Sequence, residues 1–348
     1  YPGERFVVPN EAAVADLTAC VTAKTDLIVG VGSGVINDLC KYVANEQNLP
    51  YYIVATAPSM DGYASKGAAM IFDSMKITTN AAVPAAIICD TEILKDAPMD
   101  MIRAGYGDII GKFSCLNDWR LSGVVNDEPM CEYIYKLTYD TVKSVADQAQ
   151  AIAARDEKAV AALMRALIVV GIAMAYMGNS RPASGSEHHM SHYFEVVGLL
   201  RGEPYFCHGI DVAYSTYVTA KIRQDLLAID APEAKQFDLA DWESNIRRVY
   251  SVLGNTTAAE GIIALQHKLG WITEDKTEIY RAKWAQIREV LADSPTPDEI
   301  VGMLSAVGLP LEEVYDMYDE EKIADAIRYA KDLKDRYSVL WVYGLYYA

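Results

Sequence analysis

The sequence has few basic residues, no paired cysteine motif and no long apolar run. Aspartate and glutamate outnumber lysine and arginine by 48 to 31, which gives a formal net charge of −17. Such a surface repels phosphate backbones and excludes nucleic acid as a partner.

The six cysteines form no C-x-x-C pair, which is typical of free thiols in a reducing compartment and predicts a cytoplasmic protein. The most apolar run, Ala166 to Gly178, is too short to span a bilayer, so it predicts a helix buried inside a domain.

Histidine is also scarce, and its distribution is uneven. Of five histidines, four lie between residues 188 and 208. In a helix over residues 185–200, His188 and His192 would project from one face while His189 points elsewhere, and His208 would return from the following loop. Imidazole is a ligand for zinc, nickel or iron. The cluster predicts a metal site, although each histidine alone is also explained as an ordinary core or surface residue.

A divalent ion held by two neutral imidazoles usually needs an anionic ligand as well. The best candidate is Asp108, which follows Gly105 and Gly107 and opens a predicted helix from Asp108 to Leu121. Taken alone, this aspartate is better explained as a helix cap or as a charge that favours the positive end of a helix than as a metal ligand.

Short apolar strands and turns alternate in the first hundred residues. Continuous apolar strands separated by helices indicate a parallel, Rossmann-like sheet covered on both faces. The predicted strands are 26–31, 51–56 and 85–90, with a hairpin through 68–72 and 75–79.

Helical patterns dominate from about residue 98. We therefore predict two domains, a dinucleotide-binding α/β domain over residues 1–104 and an all-α domain over residues 105–348 that binds metal and substrate.

A glycine turn at Gly30, Gly32 and Gly34 ends the first predicted strand and opens a helix. Glycines allow the backbone to approach a pyrophosphate, and the helix N-terminus supplies amides that bind it. The spacing G-x-G-x-G is not the usual dinucleotide fingerprint, and an ordinary tight turn would look the same. The loop after the next strand adds three hydroxyls and a carboxylate at the same edge of the sheet: Thr56, Ser59, Ser65 and Asp61. Two polar loops at successive strand ends favour a nucleotide site.

Several segments together resemble a known family. In chain order they are GSGVINDLCKY, TAPSMDGYAS, GYGDIIGK, SRPASGSEHHMSH and CHG. This series resembles the motifs of the sn-glycerol-1-phosphate dehydrogenases, within the iron-containing alcohol dehydrogenase and dehydroquinate synthase-like superfamily. The resemblance spans nearly the whole chain, and TAPSMDGYAS and SRPASGSEH are its most specific parts.

The resemblance implies roles for individual residues. It implies one divalent ion, with zinc first and nickel or iron as alternatives, on Asp108, His188 and His208. It implies substrate contacts at Asp61, Asp108 and His192, and no role for His189. NAD(H) or NADP(H) would contact the glycine turn and the following loop at Gly32, Gly34, Val35, Ile36, Asn37, Asp38, Thr56, Ser59 and Ser65.

One departure from the family concerns the N-terminal side. Members normally have another strand-helix-strand unit before the glycine turn, whereas here the turn arrives at residue 30. We therefore expect the α/β domain to lack this unit. Because the unit would help to hold the adenosine end, the choice between NAD and NADP stays open.

The resemblance implies a dehydrogenase that reversibly reduces dihydroxyacetone phosphate to sn-glycerol 1-phosphate in the cleft between the two domains, within a homo-oligomer. Lys112, one turn beyond Asp108, and Arg181 are candidates for binding the phosphate, although each is also explained as a surface charge. Lys112 joins Asp61, Asp108 and His192 as a catalytic candidate. The alternatives are a glycerol or polyol dehydrogenase of the same superfamily and a metal-binding homologue without turnover. A dehydroquinate synthase-like lyase is disfavoured because its glycine motif is not apparent.

Overall fold

The N-terminal part of the computed structural model combines a small parallel sheet with a hairpin. The structure describes residues 7–72, 75–230 and 237–347. The strands β1, β2 and β5 are parallel in that order, and β3 pairs with β4 in an antiparallel hairpin, as the sequence predicts. In chain order the elements are α1 (Glu11–Ala19), β1 (Ile28–Gly32), α2 (Gly34–Glu46), β2 (Tyr51–Ala55), a 3-10 helix (Asp61–Ala64), β3 (Gly67–Phe72), β4 (Met75–Asn80) and β5 (Ala86–Cys89).

The two faces of the parallel sheet have different environments. Successive side chains of a strand point to opposite faces, and one face buries Ile28 and Ile53 in the core. The other face leaves Val29, Val31 and Ile88 54%, 63% and 47% exposed. The expectation that both faces are covered is therefore wrong for the described residues. Parallel sheets usually bury both faces, so this sheet departs from the common arrangement.

Helices make up the regular structure of the described residues from Thr91 onward, which confirms the predicted α/β and all-α arrangement. The predicted division after residue 104 falls inside the second of these helices and stays a prediction. They are α3 (Thr91–Lys95), α4 (Met99–Ile110), α5 (Lys112–Asn126), α6 (Glu132–Ala146), α7 (Ala149–Ala153), α8 (Glu157–Met177), α9 (Ser186–Arg201), α10 (His208–Leu227), α11 (Leu239–Tyr250), α12 (Thr257–Leu269), α13 (Thr277–Ala292), α14 (Pro297–Val307), α15 (Glu312–Met317), α16 (Glu320–Tyr329) and α17 (Val339–Tyr347). Two further 3-10 helices span Trp271–Thr273 and Ala330–Leu333.

The apolar run of the sequence lies in α8, which has 21 residues. By length and composition alone this helix could cross a membrane, so the argument that the segment is too short does not hold for the whole helix. Half of its most apolar window is buried, and it packs against α3, α4, α6 and the 3-10 helix at Asp61. These contacts are typical of a core helix.

Glycines allow α4 to pack closely against its neighbours. A Cβ atom on Gly105 would lie 1.7 Å from the carbonyl oxygen of Pro58, and one on Gly107 would lie 2.3 Å from that of Gly209. Gly105 and Gly107 both lie within α4 and do not precede a helix. The predicted helix from Asp108 to Leu121 is wrong, because the chain ends α4 at Ile110 and starts α5 at Lys112. Asp108 lies in the last turn of α4, so the helix-cap explanation for this aspartate is wrong as well.

Candidate metal and dinucleotide site

Three helices bring Asp108, His188 and His208 together. Asp108 is near the end of α4, His188 is in the first turn of α9, and His208 is the first residue of α10. One potential ligand atom from each residue lies within 4.8 Å of the others, and His188 Nε2 is 3.4 Å from Asp108 Oδ1. Zinc bonds to such nitrogen and oxygen atoms are about 2.0–2.2 Å long, so small side-chain movements complete a site. One carboxylate and two imidazoles with a further position open fit a catalytic zinc, nickel or ferrous ion.

Lys112 joins the carboxylates of Asp108 and Asp61 at this site. Its ammonium nitrogen is 2.5 Å from Asp108 Oδ1 and 2.7 Å from Asp61 Oδ2, and the side chain is fully buried. The backbone N–H of Asp61 donates to Asp108 Oδ2 at 2.9 Å.

Burial lowers the pKa of Lys112, but Asp108 and Asp61 outweigh burial and raise this pKa above its ordinary value. Burial likewise raises the pKa of Asp108, yet Lys112 and His188 hold it well below the ordinary range. Asp108 is therefore an anion and Lys112 a cation at neutral pH.

His192 belongs to the cluster, whereas His189 does not. The ring centroid of His192 is 6.1 Å from that of His188 and 5.4 Å from that of His208. His189 is fully buried, and neither of its ring nitrogens has a hydrogen-bond partner among the described residues. Burial lowers the pKa of His189 well below its ordinary value, so the ring is neutral. This arrangement supports the expected structural role of His189.

Two polar residues that the sequence analysis missed contact the ligand imidazoles. Glu187 Oε1 is 2.6 Å from His188 Nδ1, and Ser191 Oγ is 3.2 Å from His208 Nδ1. Both side chains are buried in α9. The segment SEHHMSH places Glu187 and Ser191 each next to a histidine, and this position in the sequence could have indicated a contact with an imidazole.

A buried aspartate, Asp118 of α5, fixes the position of α9. Its Oδ2 accepts the backbone N–H of Ser186, the first residue of α9, at 2.7 Å. Its Oδ1 accepts from Arg223 of α10 at 2.8 Å and from the N–H of Val339 at 2.9 Å. One carboxylate therefore links the two helices that carry the histidines to the C-terminal helix. Nothing in the local sequence distinguishes this aspartate from one on a solvated helix face.

The glycine turn packs α2 against β1. A Cβ atom on Gly30 would be 2.8 Å from Cys40 Sγ, and one on Gly32 would be 2.6 Å from a side-chain carbon of Ile36. These two glycines are thus required by helix-strand packing. Gly34 opens α2, and its first turn, which includes Val35, Ile36 and Asn37, carries no acidic residue. A helix N-terminus without an acidic residue in its first turn can bind a pyrophosphate.

The loop after β2 lies beside the glycine turn. The N–H of Thr56 donates to the carbonyl of Gly32 at 3.1 Å, and Ser59 is half-buried in the same loop. Thr56 and Ser59 are thus placed at the carboxyl edge of the sheet, where ligands of such sheets bind.

Asp38 and Ser65 contact neighbouring parts of the fold. Asp38 Oδ2 accepts the N–H of Ala69 at 3.2 Å, and Ser65 Oγ donates to a backbone carbonyl, that of Gly62 (3.0 Å) or of Gly67 (3.1 Å). Lys41, which the sequence analysis missed, is fully buried and bridges the same carbonyls at 2.7 and 2.9 Å. These bonds tie α2 to the hairpin. The expected cofactor contacts of Asp38 and Ser65 stay predictions.

Comparison with known proteins identifies the family. The family model of iron-containing alcohol dehydrogenases matches residues 8–98. The chain is 31% identical to a glycerol-1-phosphate dehydrogenase (NAD(P)+) of Bacillus velezensis, over 97% of this chain and 77% of that protein. A protein of the same name from Geobacillus stearothermophilus is 30% identical over 96% of this chain and 76% of its own length. The chain belongs to the glycerol-1-phosphate dehydrogenase family. A third glycerol-1-phosphate dehydrogenase (NAD(P)+), from Halalkalibacterium halodurans, is 37% identical to this chain in an alignment that covers 63% of this chain and 55% of that protein.

Solved structures confirm the fold of this family member. A probable glycerol dehydrogenase from Sinorhizobium meliloti aligns with a TM-score of 0.61 and 16% identity, over 97% of this chain and 80% of that one. A sulfoacetaldehyde reductase from Bifidobacterium kashiwanohense in complex with NAD+ aligns with a TM-score of 0.58 and 15% identity, over 99% and 81%. The resemblance on which the sequence analysis relied is therefore confirmed.

The two residues considered for binding the phosphate, Arg181 and Lys112, have other partners in the structure. The guanidinium of Arg181 binds both carboxylate oxygens of Glu128 at 2.9 and 2.8 Å and donates to the carbonyl of Tyr337 at 2.9 Å. Arg181 is a buried anchor of the fold, and these contacts give no support to the expectation that it binds phosphate. Lys112 faces two carboxylates instead of an open anion site, so phosphate contact by Lys112 is unsupported. Its expected part in catalysis stays a prediction.

Proposed function

We propose that this chain catalyses the reversible reduction of dihydroxyacetone phosphate to sn-glycerol 1-phosphate with NADH or NADPH. The observation that carries the proposal is the cluster of Asp108, His188 and His208, joined through Asp61 to the loop at the carboxyl edge of the sheet. The direct bond between the Asp61 N–H and Asp108 connects the dinucleotide side of the site to the metal side. Family membership supports the same reaction.

Two groups supply the chemistry that side chains lack: a divalent ion on the triad provides a Lewis acid, and the nicotinamide provides a hydride. The chain positions them and handles the proton. Reduction of a ketone also requires a proton at the carbonyl oxygen, and His192 lies beside both ligand histidines in a position to supply it. Lys112 offsets part of the negative charge of Asp61 and Asp108, and the burial of all three side chains excludes bulk water from this side of the site.

Zinc is the metal that we propose first, because its preferred ligands include carboxylate and imidazole, and nickel and ferrous iron are the alternatives. We also propose a cytoplasmic location and a homo-oligomer of two or more chains. All six cysteines lie within the described residues and are free thiols, which supports a reducing compartment.

The test is an assay of NADH and NADPH oxidation by the zinc-reconstituted protein with dihydroxyacetone phosphate. We expect oxidation of the reduced cofactor and a product that an enzyme specific for sn-glycerol 3-phosphate does not oxidise. Authentic samples of the two enantiomers are the controls. Absence of turnover with either cofactor and each of the three metals would refute the proposal, and sn-glycerol 3-phosphate as product would refute the stereochemical part.

A second candidate, a glycerol or polyol dehydrogenase, is favoured by one observation. Both basic residues considered for the phosphate, Lys112 and Arg181, are neutralised by buried or half-buried carboxylates. Phosphate dianions gain from charge-assisted hydrogen bonds, so a phosphate-specific site should prefer the phosphorylated ketone strongly. The ratio of kcat/KM for dihydroxyacetone phosphate to that for dihydroxyacetone decides between the two. A ratio of one or below would favour the polyol dehydrogenase.

A further inference from the structure

Both imidazoles of the candidate metal site have a defined partner on Nδ1. The Glu187 carboxylate is 2.6 Å from His188 Nδ1, and both side chains are buried. A carboxylate accepts hydrogen bonds and has none to donate, so it selects the ring form with a proton on Nδ1. His188 is then left with Nε2 directed toward Asp108, 3.4 Å away.

The second imidazole has a hydroxyl partner. Ser191 Oγ lies 3.2 Å from His208 Nδ1 and 3.3 Å from the carbonyl oxygen of His208. The single proton of the hydroxyl can be donated to either acceptor, so Ser191 restrains the orientation of the His208 ring without selecting its tautomer.

Glu187 is itself fixed by the backbone. Its Oε1 also accepts the N–H of Gly185 at 2.9 Å, just before the start of α9. Since the two contacts share one oxygen atom, the carboxylate cannot rotate away from His188 without losing a backbone bond as well. A buried carboxylate in this position raises the basicity of the ring and restricts its orientation.

We infer that Glu187 is a positioning residue that holds the ring of His188 with Nε2 toward a divalent ion, and that Ser191 restrains the ring of His208. The inference rests on the proposed metal site, and it adds two residues that act on the ion through the histidines. Removal of such an outer partner typically lowers metal affinity by about 10–100-fold.

The experiment measures zinc affinity alone, by competition with a chromophoric chelator, and needs no turnover. Glu187→Leu removes the acceptor and should raise the zinc Kd by about 10–100-fold. Glu187→Gln keeps a carbonyl acceptor without the charge and should raise it less, while Ser191→Ala should give a small rise. Glu195→Gln, which removes one carboxylate charge farther along α9, is the matched control and should leave the Kd unchanged.

A spectroscopic readout separates positioning from simple loss of stability. In zinc-loaded protein with 15N-labelled histidine, His188 should show a protected Nδ1–H resonance, shifted in Glu187→Gln and lost to exchange in Glu187→Leu. If Glu187→Leu does not fold, Glu187→Gln decides the matter. A zinc Kd within twofold of wild type and an unchanged Nδ1–H resonance in the folded variant would overturn the inference. Failure of the wild type to bind zinc, nickel or iron would instead overturn the proposed metal site.

Discussion

Replacing Lys112 by methionine should destabilise the metal-free protein strongly. The substitution keeps a long side chain but removes the ammonium that lies 2.5 Å from Asp108 Oδ1 and 2.7 Å from Asp61 Oδ2. Breaking a buried ion pair by removing one partner costs about 3–5 kcal/mol, because it leaves uncompensated buried charge. At roughly 2 °C per kcal/mol for a chain of this size, the melting temperature should fall by about 6–10 °C.

The pH dependence of this contribution follows from the pKa of Lys112, which Asp108 and Asp61 raise above its ordinary value despite burial. A group whose pKa is higher in the folded state stabilises the protein fully below its unfolded pKa of about 10.4, and the contribution is lost only as pH rises through the folded value. The part of the contribution that depends on the charge of Lys112 should therefore be constant from about pH 6 to pH 9, whereas burial and Asp108 raise the pKa of Asp61 and make its part more sensitive to pH.

The assay is thermal unfolding of chelator-treated protein, followed by circular dichroism at pH 7 and at pH 8.5. Lys136→Met is the matched control, because Lys136 and Asp140 form a similar pair at 2.5 Å with 74% and 58% of their side chains exposed. Exposed pairs of this kind contribute only about 0.3–0.5 kcal/mol. A melting temperature of Lys112→Met within about 2 °C of the control would refute the assignment of Lys112 as the cation that stabilises both carboxylates.

Three further predictions concern the metal, the proton and the phosphate. Zinc at about 100 times its Kd should stabilise the wild type by about 2.7 kcal/mol, and Asp108→Ala, His188→Ala and His208→Ala should each abolish the corresponding rise in melting temperature. An undiminished rise in any variant would remove that residue from the ligand set. His192→Ala should keep zinc but lower kcat by about two orders of magnitude if the ring transfers a proton, or raise KM alone if it only positions substrate. Zinc loss in this variant would instead make His192 a ligand. Arg181→Met should lower the melting temperature and leave the preference for dihydroxyacetone phosphate over dihydroxyacetone unchanged, so a fall in that preference would show phosphate contact.

Features with a local signal could be predicted from the sequence. Apolar runs of five or six residues between turns gave β1, β2 and the hairpin. The clustering of histidine, which is scarce in this sequence, allowed the grouping of His188, His192 and His208 to be predicted. Two of them share a face of α9, and the third is the first residue of α10. These patterns can be recognised in the sequence because the residues that form them are close together in the chain.

Features that depend on close approach between distant segments could not be read in this way. The continuous helical pattern through Gly111 concealed the break between α4 and α5. The contacts of Asp108 and Lys112 with Asp61 depend on a segment 47 residues before Asp108. Gly105 and Gly107 are predicted to precede a helix, although they lie inside α4, where the backbones of Pro58 and Gly209 approach too closely for a side chain. In each case the neighbour that explains the residue is remote in sequence.

Lys112 offsets negative charge beside the triad. Asp61, Asp108 and Glu187 are buried carboxyl groups, and Lys112 is the buried cation that bonds to two of them. Burial and the charge of Asp108 raise the pKa of Asp61, and the ammonium of Lys112 opposes that rise. Without this ammonium, a divalent ion on the triad would have more carboxylate charge to neutralise before the site could attract a phosphate ester. If the proposed function holds, the buried ion pair would therefore affect the binding of substrate as well as the stability of the fold.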